Sequence, residues 1–287
     1  TSSIEHHSVL YSCRALEQIG VEITYLPVDS TGRVSIDVVK GAIKSNTKLV
    51  SIMLANNEIG TTQPITEIGQ FLHEQGILFH TDAVQAVGHI PLDVRELWVD
   101  FLTASAHKFN GAKGTGFLYK RSGRELSPLV FGGKQELGRR AGTENVAGIV
   151  AAGYAIEESI NEMDEIANRL REMVTATING VKKRVPSVRV NGNMTHRLPG
   201  IVNLGFDGIS GGSLMHLLDL KGVYVSTSSA CASGNDEPSH VLLALGLNEQ
   251  QARSAIRISY GRYNTPDEVK TIVAAVCDAY SKIKANQ

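Results

Sequence analysis

The sequence predicts an α/β protein: a large domain with a mostly parallel, doubly wound sheet, then a smaller α+β C-terminal domain. Three observations predict it. Helix-like and strand-like stretches alternate through the first half. The strand-like stretches are short and almost wholly apolar, as in a buried parallel sheet. From about Glu144 a long helical stretch replaces the alternation, and short strands resume only beyond it. At 287 residues the chain is long enough for two domains. The boundary is placed inside the helical connector, giving a large domain over 1–160 and a small domain over 161–287.

Taken in order, residues 8–20 read as a helix and 21–27 as a strand. Residues 36–45 form a helix with Asp37 near its start, and 48–54 a buried strand, Lys-Leu-Val-Ser-Ile-Met-Leu. The next helix, 64–76, has Pro64 at its first turn and Gly76 at its stop. Strands follow at 77–81, 99–104 and 116–119. Residues 144–185 are predicted helical with one kink or break. Short strands near 201–206, 223–226 and 255–259 then alternate with helices, the last at 266–284.

Composition excludes several classes. With 42% apolar and 20% charged residues the chain is an ordinary soluble globular protein. A formal net charge of −1, without a basic block, argues against nucleic acid as a main partner. No apolar stretch approaches the ~20 residues of a membrane span. Cys13, Cys231 and Cys277 are far apart and form no CxxC pair, which argues against a disulfide framework and against a metal site. A reducing, cytoplasmic compartment fits best. The chain opens at Thr1 in what reads as a strand end and helix start, without initiator methionine or signal-like segment, and is read as a fragment or processed chain.

Lys108 anchors the chemistry. It ends the apolar run Trp98-Val-Asp-Phe-Leu-Thr-Ala-Ser-Ala-His-Lys108, and the glycine-rich turn Gly111-Ala-Lys-Gly-Thr-Gly116 follows. A lysine delivered to a strand end, if shielded from water, becomes a nucleophile for carbonyl groups, as pyridoxal phosphate (PLP) chemistry requires. Asp82 ends another apolar strand, where its carboxylate can pair with a pyridinium nitrogen or serve as a turn or cap aspartate. Gln85, one turn on, can donate to a phenolic oxygen or be an ordinary polar helix residue. Asn56 and Asn57 follow the strand at 48–54, offering amides at the same sheet edge or simply a turn. Cys231 stands in Ser226-Thr-Ser-Ser-Ala-Cys-Ala-Ser-Gly-Asn235, small and polar surroundings unlike those of a packed cysteine. Arg257 alternates with isoleucines in Ala255-Ile-Arg-Ile-Ser259, which aims its guanidinium to one face for a substrate carboxylate or a structural ion pair.

The runs Asn56-Asn-Glu-Ile-Gly60, Asp82-Ala-Val-Gln85, Ser105-Ala-His-Lys108, Arg140-Ala-Gly-Thr143 and Ser229-Ala-Cys231 match, in order and spacing, the cysteine desulfurases of the NifS/IscS type. The chain resembles that family over essentially its whole length. The resemblance implies the aspartate-aminotransferase-like fold of class V PLP enzymes, with PLP as cofactor and L-cysteine as substrate. By position, Lys108 resembles the Schiff-base lysine, Asp82 the pyridinium partner, and Gln85 and Asn57 ligands of the ring oxygen and the substrate side. His6 is similar to the imidazole that stacks on the ring and moves protons. Ser105 and His107 resemble phosphate ligands, and Thr143 the phosphate ligand lent by the second subunit of a homodimer. Arg257 matches the substrate-carboxylate arginine and Cys231 the persulfide-forming cysteine. Family members also carry an N-terminal segment ahead of this stretch, with a Gly/Ala-Thr loop that cradles the phosphate. Without that loop, residues 1–287 are expected to hold PLP below full strength.

The activity so implied is conversion of L-cysteine to L-alanine, with sulfur carried on Cys231 and passed to an acceptor such as an iron–sulfur scaffold protein. A selenocysteine lyase or class V aminotransferase would share Lys108 and Asp82, although an aminotransferase has no use for Cys231. A truncated, non-catalytic binding paralogue is the reading from a different class.

Overall fold

The computed structural model describes residues 1–227 and 237–287. In chain order the first elements are α1 (His7–Glu17), α2 (Ile36–Ala42), β1 (Leu49–Ser51), α3 (Ile65–Glu74), β2 (Leu78–Asp82) and β3 (Phe101–Ser105). A 3-10 turn (Ala106–Phe109), β4 (Gly116–Lys120), α4 (Gln135–Gly138), α5 (Val146–Asn161) and α6 (Met163–Arg184) follow. Then come β5 (Arg189–Asn191), β6 (Ile201–Gly205), α7 (Gly211–Asp219) and β7 (Ser226–Thr227). The last are α8 (His240–Ala244), α9 (Glu249–Arg253), β8 (Ala255–Ser259) and α10 (Pro266–Ala285).

The described residues form two compact units. One comprises Asn46–Ile52 and Ile65–Met163. Its sheet runs β1-β2-β3-β4, parallel across the first two pairs and antiparallel at β4. This is the mostly parallel α/β arrangement that the alternation predicts. Helix α3 buries Ile65, Ile68 and Leu72, one stripe at helical spacing, and packs against β2. Burying one such side chain contributes roughly 1.5–3 kcal/mol, so the stripe holds α3 on the sheet. Gly69 lies within the stripe because a Cβ there would stand 2.2 Å from the Leu97 carbonyl oxygen.

The other unit comprises Thr1–Ser45, Met53–Pro64 and Asp164–Gln287. Its sheet, β5-β6-β8-β7, is antiparallel throughout. The core joins Leu170, Met173 and Ile178 of α6 to Val202 and Leu204 of β6, Ile256 and Ile258 of β8, and Val276 of α10. A second apolar cluster joins Ile4, Met53 and Ile59 to Val241, Leu242 and Leu245, which draws the two early segments into this unit. Helix α10 starts with Pro266 after a Thr265/Glu268 capping box, as its sequence signals require.

Three expectations need correction. Residues 21–27 form no strand: all but Ile23 and Leu26 are exposed, and only Leu26 makes a bridge, to Ser2. The strand expected at 48–54 is confined to Leu49–Ser51. The strand expected at 223–226 is instead the pair Ser226–Thr227, because the Lys221–Gly222 turn still governs Val223. The helical stretch after Glu144 breaks once as predicted, at Glu162, between α5 and α6.

Candidate active site

In the unit built on the parallel sheet, the predicted residues gather at strand carboxyl ends. Strands β2 and β3 are parallel neighbours, with Asp82 paired to Thr103, so Asp82 and Ser105 end on the same edge. Ligands of open α/β sheets bind at that edge. Beyond Ser105 the chain tightens into the 3-10 turn that carries His107 and Lys108, and left-handed Asn110 (φ 65°) closes it by donating to the Ala106 carbonyl. Helix α5 fixes the turn from outside, through the buried Ser159 hydroxyl donating to the Phe109 carbonyl at 3.3 Å. Gly116 lets β4 pair closely with β3 here, since a Cβ would lie 2.4 Å from the Ala104 carbonyl oxygen. Sequence and turn geometry thus place Lys108, an exposed residue, just beyond the sheet edge.

Asp82 is buried and accepts one side-chain hydrogen bond, from the Val84 N–H to Oδ1 at 2.9 Å. The turn therefore engages one oxygen, and Oδ2 receives no hydrogen bond among the described residues. His80, two residues earlier and on the same strand face, bridges the sheet: Nδ1 is 2.8 Å from Ser51 Oγ and Nε2 3.3 Å from Thr103 Oγ1. Burial pushes its pKa down, and the Asp82 carboxylate only partly opposes this. Sequence reasoning passed over His80; the signal available was its place two residues before Asp82 on a buried strand. Ser105 Oγ and His107 Nδ1 are 3.0 Å apart. Gln85 is half-buried in a run of hydrogen-bonded turns, not in a helix. Thr143 is exposed in the loop before α5, whose N-cap is Asn145.

These residues suit PLP. A buried carboxylate with one uncommitted oxygen matches a ring nitrogen. An exposed amine matches an aldehyde, and a paired hydroxyl and imidazole match a phosphate.

The second unit contains His6, Asn57 and Arg257, and joins the last two. His6 caps α1, its Nδ1 accepting the Ser8 N–H at 3.2 Å and lying 2.8 Å from Ser8 Oγ. Arg257 lies in a row of polar residues directly opposite one another across the sheet: Asn191, Asn203, Arg257 and Ser226. Its Nη1 donates to the Asn57 carbonyl at 3.0 Å, while its buried Nε has no hydrogen-bond partner among the described residues. No ion pair to Arg257 occurs among them. Asn56 and Asn57 have different work. Asn56 is fully buried and builds the turn, donating to the Ile4 carbonyl and accepting the Glu58 and Ile59 N–H groups. Asn57 is half-buried and lends its carbonyl to Arg257. Cys231 lies outside the described residues. Cys13 is half-buried and Cys277 buried, as expected of helix cysteines.

The parallel sheet flanked by helices, with its polar residues at the strand ends, is the architecture of the α/β PLP-dependent enzymes. Within that class, the chain belongs to the class-V aminotransferase family, which matches residues 1–272. The cysteine desulfurase IscS of Methanosarcina thermophila is 49% identical over 284 residues, covering 99% of this chain and 70% of the relative. That of Dictyoglomus turgidum is 51% identical over 269 residues, covering 94% and 68% respectively. A solved NifS-like protein superposes with a TM-score of 0.91 at 37% identity, over 98% of this chain and 74% of the other.

Proposed function

We propose that the protein is a cysteine desulfurase, converting L-cysteine to L-alanine and carrying the released sulfur as a persulfide on Cys231. The observation that carries this reading is the Arg257 row. A guanidinium fixed by Asn57, with a buried Nε still to be satisfied, pairs across the sheet with Ser226, where the chain leaves β7 toward Cys231. Cys231 follows Ser226 by five residues in the sequence.

In this reading residues 1–160 carry the cofactor ligands, and 161–287 carry the substrate arginine and the acceptor thiol. Lys108 would hold PLP covalently, Asp82 would keep its ring nitrogen protonated, and His6 would stack on the ring. Gln85 and Asn57 would hydrogen-bond the ring oxygen and the substrate side. Ser105, His107 and the partner subunit's Thr143 would bind the phosphate. When bound, PLP supplies an electron sink for negative charge at the substrate Cα. Arg257 binds the cysteine carboxylate and so orients the Cα–H bond for proton removal. The Lys108 amine would take the Cα proton at Nζ. The Cys231 thiolate then attacks the substrate sulfur. A sulfur–sulfur bond forms and the Cβ–S bond breaks, leaving its electron pair on the carbon fragment, which is protonated and departs as alanine. No outside oxidant or reductant is needed.

The persulfide would pass to an acceptor protein, such as an iron–sulfur scaffold, in the cytoplasm, since a thiol of this kind works where disulfides do not persist. A homodimer is supported by the apolar side chains exposed to either side of Thr143, including Leu129, Phe131, Leu137 and Tyr154. No helix among the described residues is long and apolar enough to cross a membrane.

The test is product analysis. With cysteine as substrate and an added thiol reductant to discharge the persulfide, the PLP-loaded protein should form alanine and sulfide in equal amounts. Cys231→Ser should keep the cofactor's visible absorbance and lose sulfide release. Keto acid in place of alanine would indicate an aminotransferase, and undiminished sulfide from Cys231→Ser would refute the persulfide role.

A further inference from the structure

The established motifs leave Glu58 without a task. It follows Asn57, is 5% exposed, and its Oε2 accepts a hydrogen bond from the Ser239 hydroxyl at 2.6 Å. Ser239 is itself buried at 4% exposure and caps α8, accepting the Leu242 N–H. The next residue, His240, has Nε2 3.0 Å from the carbonyl oxygen of Glu5, the neighbour of His6. The Glu58 carbonyl accepts from Asn203 Nδ2 at 3.3 Å, and Asn203 stands opposite Arg257 on β6.

These contacts converge. Ser226 of β7 pairs with Arg257 five residues before Cys231 in the sequence, and Ser239 and His240 follow Cys231 by eight and nine residues. Both points are tied to the turn that holds Arg257, one through the sheet and one through Glu58. Two buried polar side chains hydrogen-bonded to each other hold one geometry far better than an apolar contact would, because neither can leave without an unsatisfied partner. A reacting group misplaced by about an ångström can cost a reaction on the order of a hundredfold, even when the change that misplaces it is remote.

We propose that Glu58 and Ser239 form a positioning clamp for the sulfur-transfer step, tying Ser239, eight residues after Cys231, to the turn that holds the substrate-carboxylate arginine. Neither residue touches substrate; each acts through the other. The proposal rests on the cysteine desulfurase reading above. It predicts a split phenotype: substrate binding intact, sulfur delivery slow.

The test compares Glu58→Ala, Glu58→Gln and Ser239→Ala with the wild-type holoenzyme. Cysteine binding is read from the absorbance change of the bound cofactor, and persulfide on Cys231 by mass spectrometry in a single turnover. Glu58→Ala and Ser239→Ala should keep the cofactor spectrum and the cysteine titration while forming persulfide about tenfold or more slowly. Glu58→Gln retains an acceptor oxygen and should stay within about twofold of wild type. The double variant Glu58→Ala/Ser239→Ala should be no slower than the slower single one, since both changes remove one contact. In the cofactor-free protein, amide exchange over α8 should rise in Glu58→Ala and not in Glu58→Gln. Wild-type persulfide rates in both alanine variants would overturn the clamp, and so would loss of cofactor or cysteine binding alongside the slower rate. If the wild type itself places no sulfur on Cys231, the desulfurase reading fails first and the clamp with it.

Discussion

Nη1 of Arg257 donates to the backbone carbonyl of Asn57 at 3.0 Å, across 200 residues of sequence. The contact engages one donor of the guanidinium and leaves the buried Nε without a hydrogen-bond partner among the described residues. Arg257→Lys keeps the charge but loses the planar fork. It should lower kcat/KM for cysteine roughly ten- to hundredfold, mostly through KM, because a hydrogen bond to a charged group contributes about 1.5–3 kcal/mol. The cofactor absorbance should not change. Steady-state kinetics with cysteine checks this.

Asn56 shows the opposite division of labour. Its amide satisfies one buried carbonyl and two buried N–H groups, so Asn56→Ala leaves all three without a partner. The loss should be about 2–4 kcal/mol, somewhat less than the sum of separate penalties of roughly 1–3 kcal/mol each. Urea unfolding of the variant should show a lower midpoint. An unchanged midpoint would mean that the turn does not depend on this side chain.

The contrast between Asn56 and Asn57 also marks how far sequence can be read. Strands β2, β3 and β8 and helix α10 were legible because their apolar period and caps are local. The strand expected at 21–27 was not, because pairing is a non-local event and only Leu26 finds a partner. Lys108, Asp82 and Arg257 were legible as residue types at the ends or on the faces of strands. Which of two adjacent asparagines builds the turn was not, since both have the same donors and acceptors. The Glu58–Ser239 bond joins residues 181 apart, and nothing in either local sequence announces the other.

Gly88 controls the Lys108 turn from a distance. Its φ is +78°, and a Cβ there would lie 2.8 Å from Cβ of Phe109, the residue after Lys108. Gly88→Ala should therefore destabilise the protein by about 1–3 kcal/mol, from backbone strain together with the clash. The measured affinity for PLP should fall with it. Thermal unfolding with and without PLP separates the two effects.

Acid should destabilise the protein through its buried histidines. Burial pushes the pKa of His80 down, and that of His240 likewise. Below a pH of about 6.5 the unfolded chain binds protons that the folded rings refuse. Stability is then complete above that pH and is lost as pH falls through the lowered native values. The slope should be at most about 1.4 kcal/mol per pH unit for each histidine. Replacing His80 with Gln should flatten the acid limb in denaturant titrations run between pH 7 and 5, an interval of roughly two units around the free-imidazole value.

The central claim is that Lys108, at the carboxyl edge of the parallel sheet, is the residue that carries PLP. Borohydride reduction of the PLP-loaded protein, followed by peptide mass spectrometry, tests it most directly. The account predicts a single pyridoxyl adduct, on Lys108, which vanishes together with the visible absorbance in Lys108→Ala. An adduct on a different lysine, or a visible band that survives in Lys108→Ala, would contradict it.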